Sequence, residues 1–127
     1  MTQEDKELLL KDLCARLPYG VKFPTKVYFS PTDDFVDRIY TIRSINSDGT
    51  CRADEDNEKI DFSIVWSVRP YLFPMSSMTN EQKKYIRSNY TFGATYELFD
   101  WLNKNHFDYR GLIEKGLALD ATGMGIY

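Results

Sequence analysis

The densest group of reactive side chains lies between residues 106 and 114. His106, Asp108 and Glu114 supply an imidazole and two carboxylates, the groups that most often donate and accept protons in enzymes. If one cleft held all three, they could act as a general acid and base. Alternatively, His106 meets the negative end of a helix and Arg110 pairs with a carboxylate in the following turn. The second interpretation is favoured, because a short stretch of mixed charge is usually a structured turn. We therefore predict no catalytic residues, and an enzyme remains the last alternative.

The sequence contains no motif with the residue spacing of a metal site, a nucleophilic serine or a glycine-rich phosphate loop. Zinc and iron sites use several histidine, cysteine or carboxylate ligands. The chain has one histidine and two cysteines, Cys14 and Cys51, which form no CxxC pair. No serine lies in a GxSxG motif, and Gly123 and Gly125 neither follow a strand nor begin a helix. We predict no metal and no cofactor. Cys14 is predicted to pack in the core, and both thiols to be reduced and partly buried.

Length and composition predict one globular domain. A chain of 127 residues with 43% hydrophobic and 15% aromatic residues can bury a core, which excludes a disordered protein. Sixteen Lys and Arg against nineteen Asp and Glu leave a net charge of −3, which gives no general attraction to phosphates or anionic lipid. The sequence has no apolar run of 18 residues, so no membrane-spanning helix is predicted. The acidic start from Met1 to Lys6 is unlike a secretory signal. The predicted location is the cytoplasm, with no membrane partner.

Helical periodicity predicts a first helix from Thr2 to Leu17. Thr2 can cap its N-terminus, and Pro18 and Gly20 end it. Arg16 is predicted to lie on the outer side, away from the core. The predicted apolar face consists of Leu9, Leu10, Leu13, Cys14 and Leu17.

Alternating hydrophobicity follows and predicts a four-stranded antiparallel meander. The strands are expected at about 21–29, 38–45, 50–54 and 60–68, the last with Phe62 and Trp66 facing the core. Asn46 to Gly49 favours a hairpin turn, and Pro24 restricts the first strand to an edge or splits it. The meander could stay an open sheet or close into a small SH3-like barrel.

The remainder is predicted to be an irregular strap followed by two or three helices. The strap covers residues 69–78 and is expected to bury its apolar side chains across the open end of the sheet. Thr79 and Gln82 form a capping-box pattern for a helix to about residue 89, and Gly93 separates it from a second helix at about 94–105. A short segment at 112–115 follows. Residues 118–127 are predicted to be a mobile tail, in which Met124, Ile126 and Tyr127 could dock. The whole chain is therefore predicted to be a single α+β domain, residues 1–127.

One stretch is locally basic. Residues 65–90 contain four cations and one anion, and Tyr71 and Phe73 lie among them. Aromatic rings beside cations can stack on nucleic-acid bases, so a small β-barrel that binds single-stranded nucleic acid is an alternative function. A solvated helix face explains the same count and is favoured. The candidate nucleic-acid contacts are Arg69, Lys83, Lys84 and Arg87.

The favoured function is a non-enzymatic protein-interaction module. The chain has more aromatic residues than one small core obviously needs, and aromatic side chains dominate the energetics of interfaces. The strap and the turn after the last helix are the expected contact surfaces, with a protein partner whose identity the sequence leaves open. The predicted contact residues are Tyr71, Phe73, Met75, Phe107, Tyr109 and Arg110.

Three blocks of the sequence resemble a known group of proteins. They read LCARLPYGVK at 13–22, RPYLFPMSSM at 69–78, and DWLN with HFDYRGLIEKGL between 100 and 117. Together they resemble small uncharacterised proteins of gut Bacteroides-type bacteria, often found among prophage or mobile-element genes. The resemblance covers most of the chain and is loosest between residues 23 and 59. It implies an intracellular protein of bacterial or phage origin, and it transfers no functional residue.

Overall fold

The first helix begins and ends where the sequence predicts. Helix α1 spans Gln3–Arg16, and the Thr2 hydroxyl caps it by accepting a hydrogen bond from the Asp5 amide at 3.1 Å. The computed structural model describes residues 2–55, 58–63, 68–90 and 95–127.

The buried face of α1 differs from the predicted one. Asp12 and Arg16 are fully buried beside Leu9 and Leu13, whereas Cys14 is exposed. The prediction that Cys14 packs in the core is wrong, and so is the placement of Arg16 on the outer side. The four buried residues share one helix face, and the opposite charges of Asp12 and Arg16 let that face enter the core.

An antiparallel sheet follows, with strands in the order β1-β2-β3-β4. The strands are β1 (Lys22–Phe29), β2 (Asp34–Ile45), β3 (Thr50–Glu55) and β4 (Glu58–Ser63). Among the described strands β1 lies at an edge, where Pro24 needs no ladder partner for its nitrogen. At the predicted hairpin turn the Asn46 amide donates to the Thr50 carbonyl, and Gly49 has a φ of +88°. In the described ranges no ladder joins β1 to β4, so the sheet is open there.

The predicted meander differs from these strands in two places. Strand β2 begins at Asp34 rather than at Arg38, because its ladder with β1 continues to the pair Phe29–Asp34. The predicted fourth strand at 60–68 is described only as far as Ser63. Its residues 64–67, with Trp66, and the side chain of Phe62 lie outside what the structure describes. The orientation of this strand's apolar side therefore stays a prediction.

A second, three-stranded sheet replaces the predicted irregular strap. Strand β5 (Tyr71–Pro74) lies between β6 (Phe107–Asp108) and β7 (Leu119–Asp120) and is parallel to both. Two-residue parallel bridges between segments far apart in sequence produce no periodicity that could predict them. The strap buries Tyr71 and Leu72, as expected, and Phe73 is half-buried. Met75 is 41% exposed, so the predicted burial is wrong for that residue.

Two helices follow the strap, as predicted. Helix α2 spans Asn80–Asn89 and helix α3 spans Thr95–Lys104. The capping box of α2 is complete, because the Gln82 amide donates to the Thr79 hydroxyl and the Gln82 side chain accepts from the Thr79 amide. The predicted break at Gly93 lies outside the described residues. Residues 112–115 form turns rather than a third helix.

Parts of the segment 118–127 contact the rest of the protein, whereas residues 122–125 are exposed, and the mobility of this tail stays a prediction. Ala118 and Ala121 are buried, and the Ala121 amide donates to the Leu72 carbonyl at 2.9 Å. The Tyr127 hydroxyl donates to the Tyr71 carbonyl at 2.7 Å. The contacting parts are held because β7 satisfies the backbone of β5, and Tyr127 docks as the sequence allowed.

Among the residues that the structure describes, the apolar interior has two parts. The larger, which we call the aliphatic core, lies between α1, the first sheet and the loop after β6. The smaller, which we call the aromatic cluster, lies under α2 and α3. The aliphatic core contains Leu9, Leu13, Val21, Phe23, Tyr40, Ile42, Cys51, Ala53, Val68, Leu72, Leu112, Leu117 and Ala118. The aromatic cluster contains buried Met78, Leu102 and Phe107, with Phe73, Ile86, Leu98, Trp101 and Tyr109 partly buried around them.

These elements confirm an α+β protein with an N-terminal helix, an antiparallel sheet and C-terminal helices. No helix within the described ranges has both the length and the apolarity to cross a membrane.

Candidate functional site

The three predicted acid–base residues have separate environments. Asp108 is buried, and its carboxylate accepts hydrogen bonds from the Leu112 and Ile113 amides, each at 2.9 Å. It therefore holds the turn after β6. Glu114 is exposed, whereas His106 is buried. Asp108 is thus committed to the backbone, and His106 is the only one of the three that lines the cavity described below.

Arg110 takes the structural role that the sequence favours. Its Nη1 donates to Asp12 Oδ1 at 2.9 Å, so it pairs with a carboxylate as predicted. The other Asp12 oxygen accepts from Arg16 Nε at 2.8 Å, and Arg16 Nη2 donates to the Phe107 carbonyl at 2.6 Å. These contacts join α1 to β6 and its turn. We call Asp12, Arg16 and Arg110 the buried ion network.

The buried ion network contains one more cation than anion. Asp12 and Arg16 are inaccessible to solvent, and the Arg110 side chain is only 19% exposed. Both guanidinium groups lie over the Tyr109 ring, with Cζ 5.3 Å (Arg16) and 4.8 Å (Arg110) from its centroid. The ring face offsets part of the excess charge. Arg16 Nη1 is buried and has no hydrogen-bond partner among the described residues. A buried donor without an acceptor destabilises the folded state, so an acceptor at this nitrogen would stabilise it.

His106 is a buried imidazole that makes no hydrogen bond to any residue the structure describes. The residue is 9% exposed, and its ring stacks on Tyr127 with centroids 3.5 Å apart and planes at 13°. Within the described ranges neither ring nitrogen has a partner, and Nδ1 is fully buried. Burial, then the charges of Arg16 and Lys22, lower the pKa of His106 from 6.5 to about 4. His106 is therefore neutral at pH 7, and it lies in a positive field.

A cavity of about 400 Å³ adjoins His106. Segments before and within α2, the end of α3, β5, β6 and the last residue form its walls. The lining residues are Phe73, Ser77, Thr79, Gln82, Lys104, Asn105, His106, Phe107 and Tyr127. They contribute hydroxyl, amide, ammonium and imidazole groups among three aromatic rings. No lining residue carries a side-chain carboxylate.

A larger cleft of about 880 Å³ lies along the β1–β2 hairpin. Its lining includes three cations and two carboxylates, so its charges largely offset one another. These ionisable residues are Lys22, Lys26, Asp37, Arg38 and Glu55. Glu55 Oε2 is buried and has no partner within the described part of the chain. This mixture of charges does not favour any one class of ligand.

Helix α3 leaves one side in solvent. Tyr96 is 86% exposed and Phe99 is 39% exposed. Glu97 and Asp100 are exposed beside them, and neither makes an ion pair within the described ranges. We call these four residues the α3 face. The Phe99 ring lies 5.0 Å from the ring of Tyr109, so the α3 face continues onto the turn after β6.

The predicted contact residues do not form one exposed surface. Tyr71 and Phe107 are buried, whereas Met75 is 41% exposed. The remaining three, Phe73, Tyr109 and Arg110, are half-buried. Sequence reasoning missed Tyr96 and Phe99 as exposed residues. The available signal was that apolar residues surround α3 too broadly for one buried side.

The candidate nucleic-acid contacts are exposed. Arg69 precedes β5, and Lys83, Lys84 and Arg87 lie on α2. Tyr71, the predicted stacking residue beside them, is buried. The exposed ring on this helix is instead Tyr85, which stacks on Trp101 with centroids 5.6 Å apart.

The chain matches no family model, no curated protein and no solved structure. The resemblance to Bacteroides-type and prophage proteins therefore stays a prediction. Among the residues that the structure describes, no three or more His, Cys, Asp or Glu side chains are grouped so that they could hold a metal ion.

Proposed function

We propose that the protein is an interaction module whose α3 face binds a basic segment of another polypeptide. The observation that carries the proposal is the exposure of Tyr96 and Phe99 on one helix side. Large exposed apolar groups that lie together are typical of binding surfaces, and aromatic residues supply much of the binding energy there. Phe99 also packs on Tyr109, which lowers the entropy lost when a partner orders the surface.

Charge supports a basic partner. Glu97 and Asp100 lie one helical turn apart beside the two rings, without counter-ions in the described ranges. The negative charge of these two carboxylates also acts on Tyr90. The pKa of Tyr90 is raised chiefly by burial, next by Tyr85, and least by Glu97 and Asp100. An arginine or lysine of the partner can pair with a carboxylate while its side chain lies over Tyr96 or Phe99.

The test is fluorescence anisotropy with defined 12-residue peptides. One set combines Arg or Lys with Leu, and the matched set replaces each cation with Glu. We expect the basic set to bind and the acidic set not to bind. The variants Tyr96→Ala and Phe99→Ala should weaken binding at least about tenfold each, as interface hot spots do. Phe35→Ala is the matched control, because Phe35 is an aromatic on β2 with 63% exposure.

Two results would overturn this proposal. One is equal binding of the acidic and basic peptides, which would remove the charge argument. The other is equal loss of binding in Phe35→Ala and Phe99→Ala, which would mean that any exposed ring suffices.

A second candidate function is binding of single-stranded nucleic acid by α2. The supporting observation is that Lys83, Lys84 and Arg87 are exposed on the helix that also exposes Tyr85. Binding of a labelled oligonucleotide should then weaken steeply between 50 and 200 mM salt, roughly threefold for each phosphate that a cation of the helix neutralises. Lys84→Gln should reduce the salt dependence, whereas Lys115→Gln should leave it unchanged. Binding that ignores salt would contradict this alternative.

We also propose a cytoplasmic location. Its support is the free, exposed thiol of Cys14, which reducing compartments preserve. Labelling of Cys14 by a maleimide in intact cells that express the protein tests it. An oxidised thiol would contradict the proposal.

A further inference from the structure

We propose that the cavity beside His106 is a binding site for a small carboxylate that carries a flat apolar group. The site is separate from the α3 face and does not depend on the interaction proposed there. Its chemistry follows from three observations: the charge around the cavity, the unpaired donors near it, and the rings in its wall.

The side chains around the cavity carry a net positive charge. Lys104 lines the cavity, and no lining side chain is a carboxylate. Arg16 belongs to a network with one cation in excess, and its charge acts on both His106 and Tyr127. Lys22 adds to the same field from β1. Because the nearby carboxylate of Asp108 is occupied by two amides, an anion in the cavity would meet mainly attraction.

The imidazole of His106 lacks hydrogen-bond partners among the described residues, whereas Ser77, Thr79, Gln82, Asn105 and Tyr127 in the cavity wall are hydrogen-bonded to other parts of the protein. A neutral imidazole carries one N–H donor and one acceptor, and His106 uses neither within the described ranges, although it is nine-tenths buried. Buried polar groups without partners are uncommon and costly in native proteins. A ligand carboxylate can accept from His106, and it can accept from Lys104 at the same time.

The cavity wall also provides apolar surface for a ring. Phe73, Phe107 and Tyr127 line it, and the Phe73 ring lies 6.1 Å from Phe107 and 5.8 Å from Tyr127. A volume of about 400 Å³ is within the range of small-molecule sites. A carboxylate with a flat apolar group would therefore place its charge near Lys104 and His106 and its ring against these side chains.

The probe is benzoate, and the reporter is His106 itself. It is the only histidine of the chain, so its imidazole resonances need no further assignment. Benzoate titrated at pH 7 should shift the His106 ring signals saturably. Benzyl alcohol, with the same ring but no charge, should cause no saturable shift. Inorganic phosphate, a charge without a ring, should bind at least about tenfold more weakly, which corresponds to about 1.4 kcal/mol.

Variants locate the site, and pH tests its chemistry. Lys104→Gln should weaken benzoate about tenfold, whereas Lys115→Gln, an exposed lysine that does not line the cavity, should have no effect. A bound anion favours the charged imidazole. Benzoate affinity should therefore rise as the pH falls from 7 toward 5. The charges of Arg16 and Lys22 oppose this protonation, and the Tyr127 ring covers one imidazole face. In His106→Gln this pH dependence should disappear.

Three results would overturn the proposal: no saturable shift with benzoate, an equal response to benzyl alcohol or phosphate, or unchanged benzoate affinity in Lys104→Gln. Binding of basic peptides to the α3 face is measured separately, so either proposal can fail without the other.

Discussion

The aliphatic core and the aromatic cluster bury their side chains to different extents. In the aliphatic core thirteen residues are buried, and even the charged side chains of Asp12 and Arg16 are excluded from solvent. In the described part of the aromatic cluster three residues are buried, while Trp101 and four others are partly exposed around them. The difference suggests a division of roles. The aliphatic core stabilises the fold, whereas the aromatic cluster supports rings that remain available for contact.

The largest expected effect is in the buried ion network. Asp12→Asn keeps the side-chain volume but leaves Arg16 as a buried cation without its carboxylate, which should cost about 3–5 kcal/mol in urea unfolding. Glu4→Gln, on an exposed position of the same helix, should change stability by no more than about 0.5 kcal/mol. A triple variant with Asp12→Leu, Arg16→Met and Arg110→Met removes all three charges and should recover much of the lost stability. A loss below about 1 kcal/mol in Asp12→Asn would show that the network contributes little.

Truncation of an aliphatic core residue should come next. Leu13→Ala removes a fully buried side chain and should cost about 2–5 kcal/mol, because the rigid surroundings leave a cavity. Leu98→Ala, in the partly exposed rim of the aromatic cluster, should cost clearly less. Thermal or urea unfolding measures both. Equal losses would remove the contrast between the two regions.

Acidification should destabilise the protein through His106. Its pKa is about 4 in the folded chain against 6.5 when exposed, so the unfolded state binds the proton more readily. The contribution of neutral His106 to the free energy of unfolding is complete above pH 6.5 and is lost progressively as the pH falls to 4. Between pH 7 and 5 the loss should be on the order of 1 kcal/mol, because one pKa unit corresponds to about 1.4 kcal/mol and solvent at the partly accessible imidazole screens part of the shift. In His106→Gln the loss over this range should shrink. An unchanged pH profile would mean that His106 is not the responsible group.

The smallest effect on stability is expected at the α3 face. Tyr96→Ala should change the free energy of unfolding by about 0.5 kcal/mol or less, because the side chain is almost entirely in solvent. A larger loss, measured by urea unfolding, would mean that Tyr96 is structural and that the α3 face is not free for a partner.

Local features were predictable from the sequence, and distant contacts were not. The caps at Thr2 and Thr79 and the turn at Gly49 depend on a few neighbouring residues, and the structure has all three. The bridges of β6 and β7 to β5 join segments more than thirty residues apart and leave no local pattern.

The candidate sites were predictable to the same limited degree. Arg110 was expected to pair with a carboxylate, but its partner Asp12 lies 98 residues earlier on a helix face that the leucine pattern assigned differently. His106 was singled out by its chemistry. Its burial depends on Tyr127, whose ring reaches it from the end of the chain. Side-chain type therefore indicated which residues matter, and only tertiary contacts showed their environment.

The most direct test of the proposed function reverses the charge of the α3 face. In the double variant Glu97→Lys and Asp100→Lys, both positions are exposed, so the fold should persist, as circular dichroism can verify. We predict that the basic peptides lose at least about tenfold in affinity and that the acidic peptides gain, because the face then repels cations and attracts carboxylates. If the double variant bound the basic peptides as tightly as the natural protein does, the α3 face would not be the binding surface.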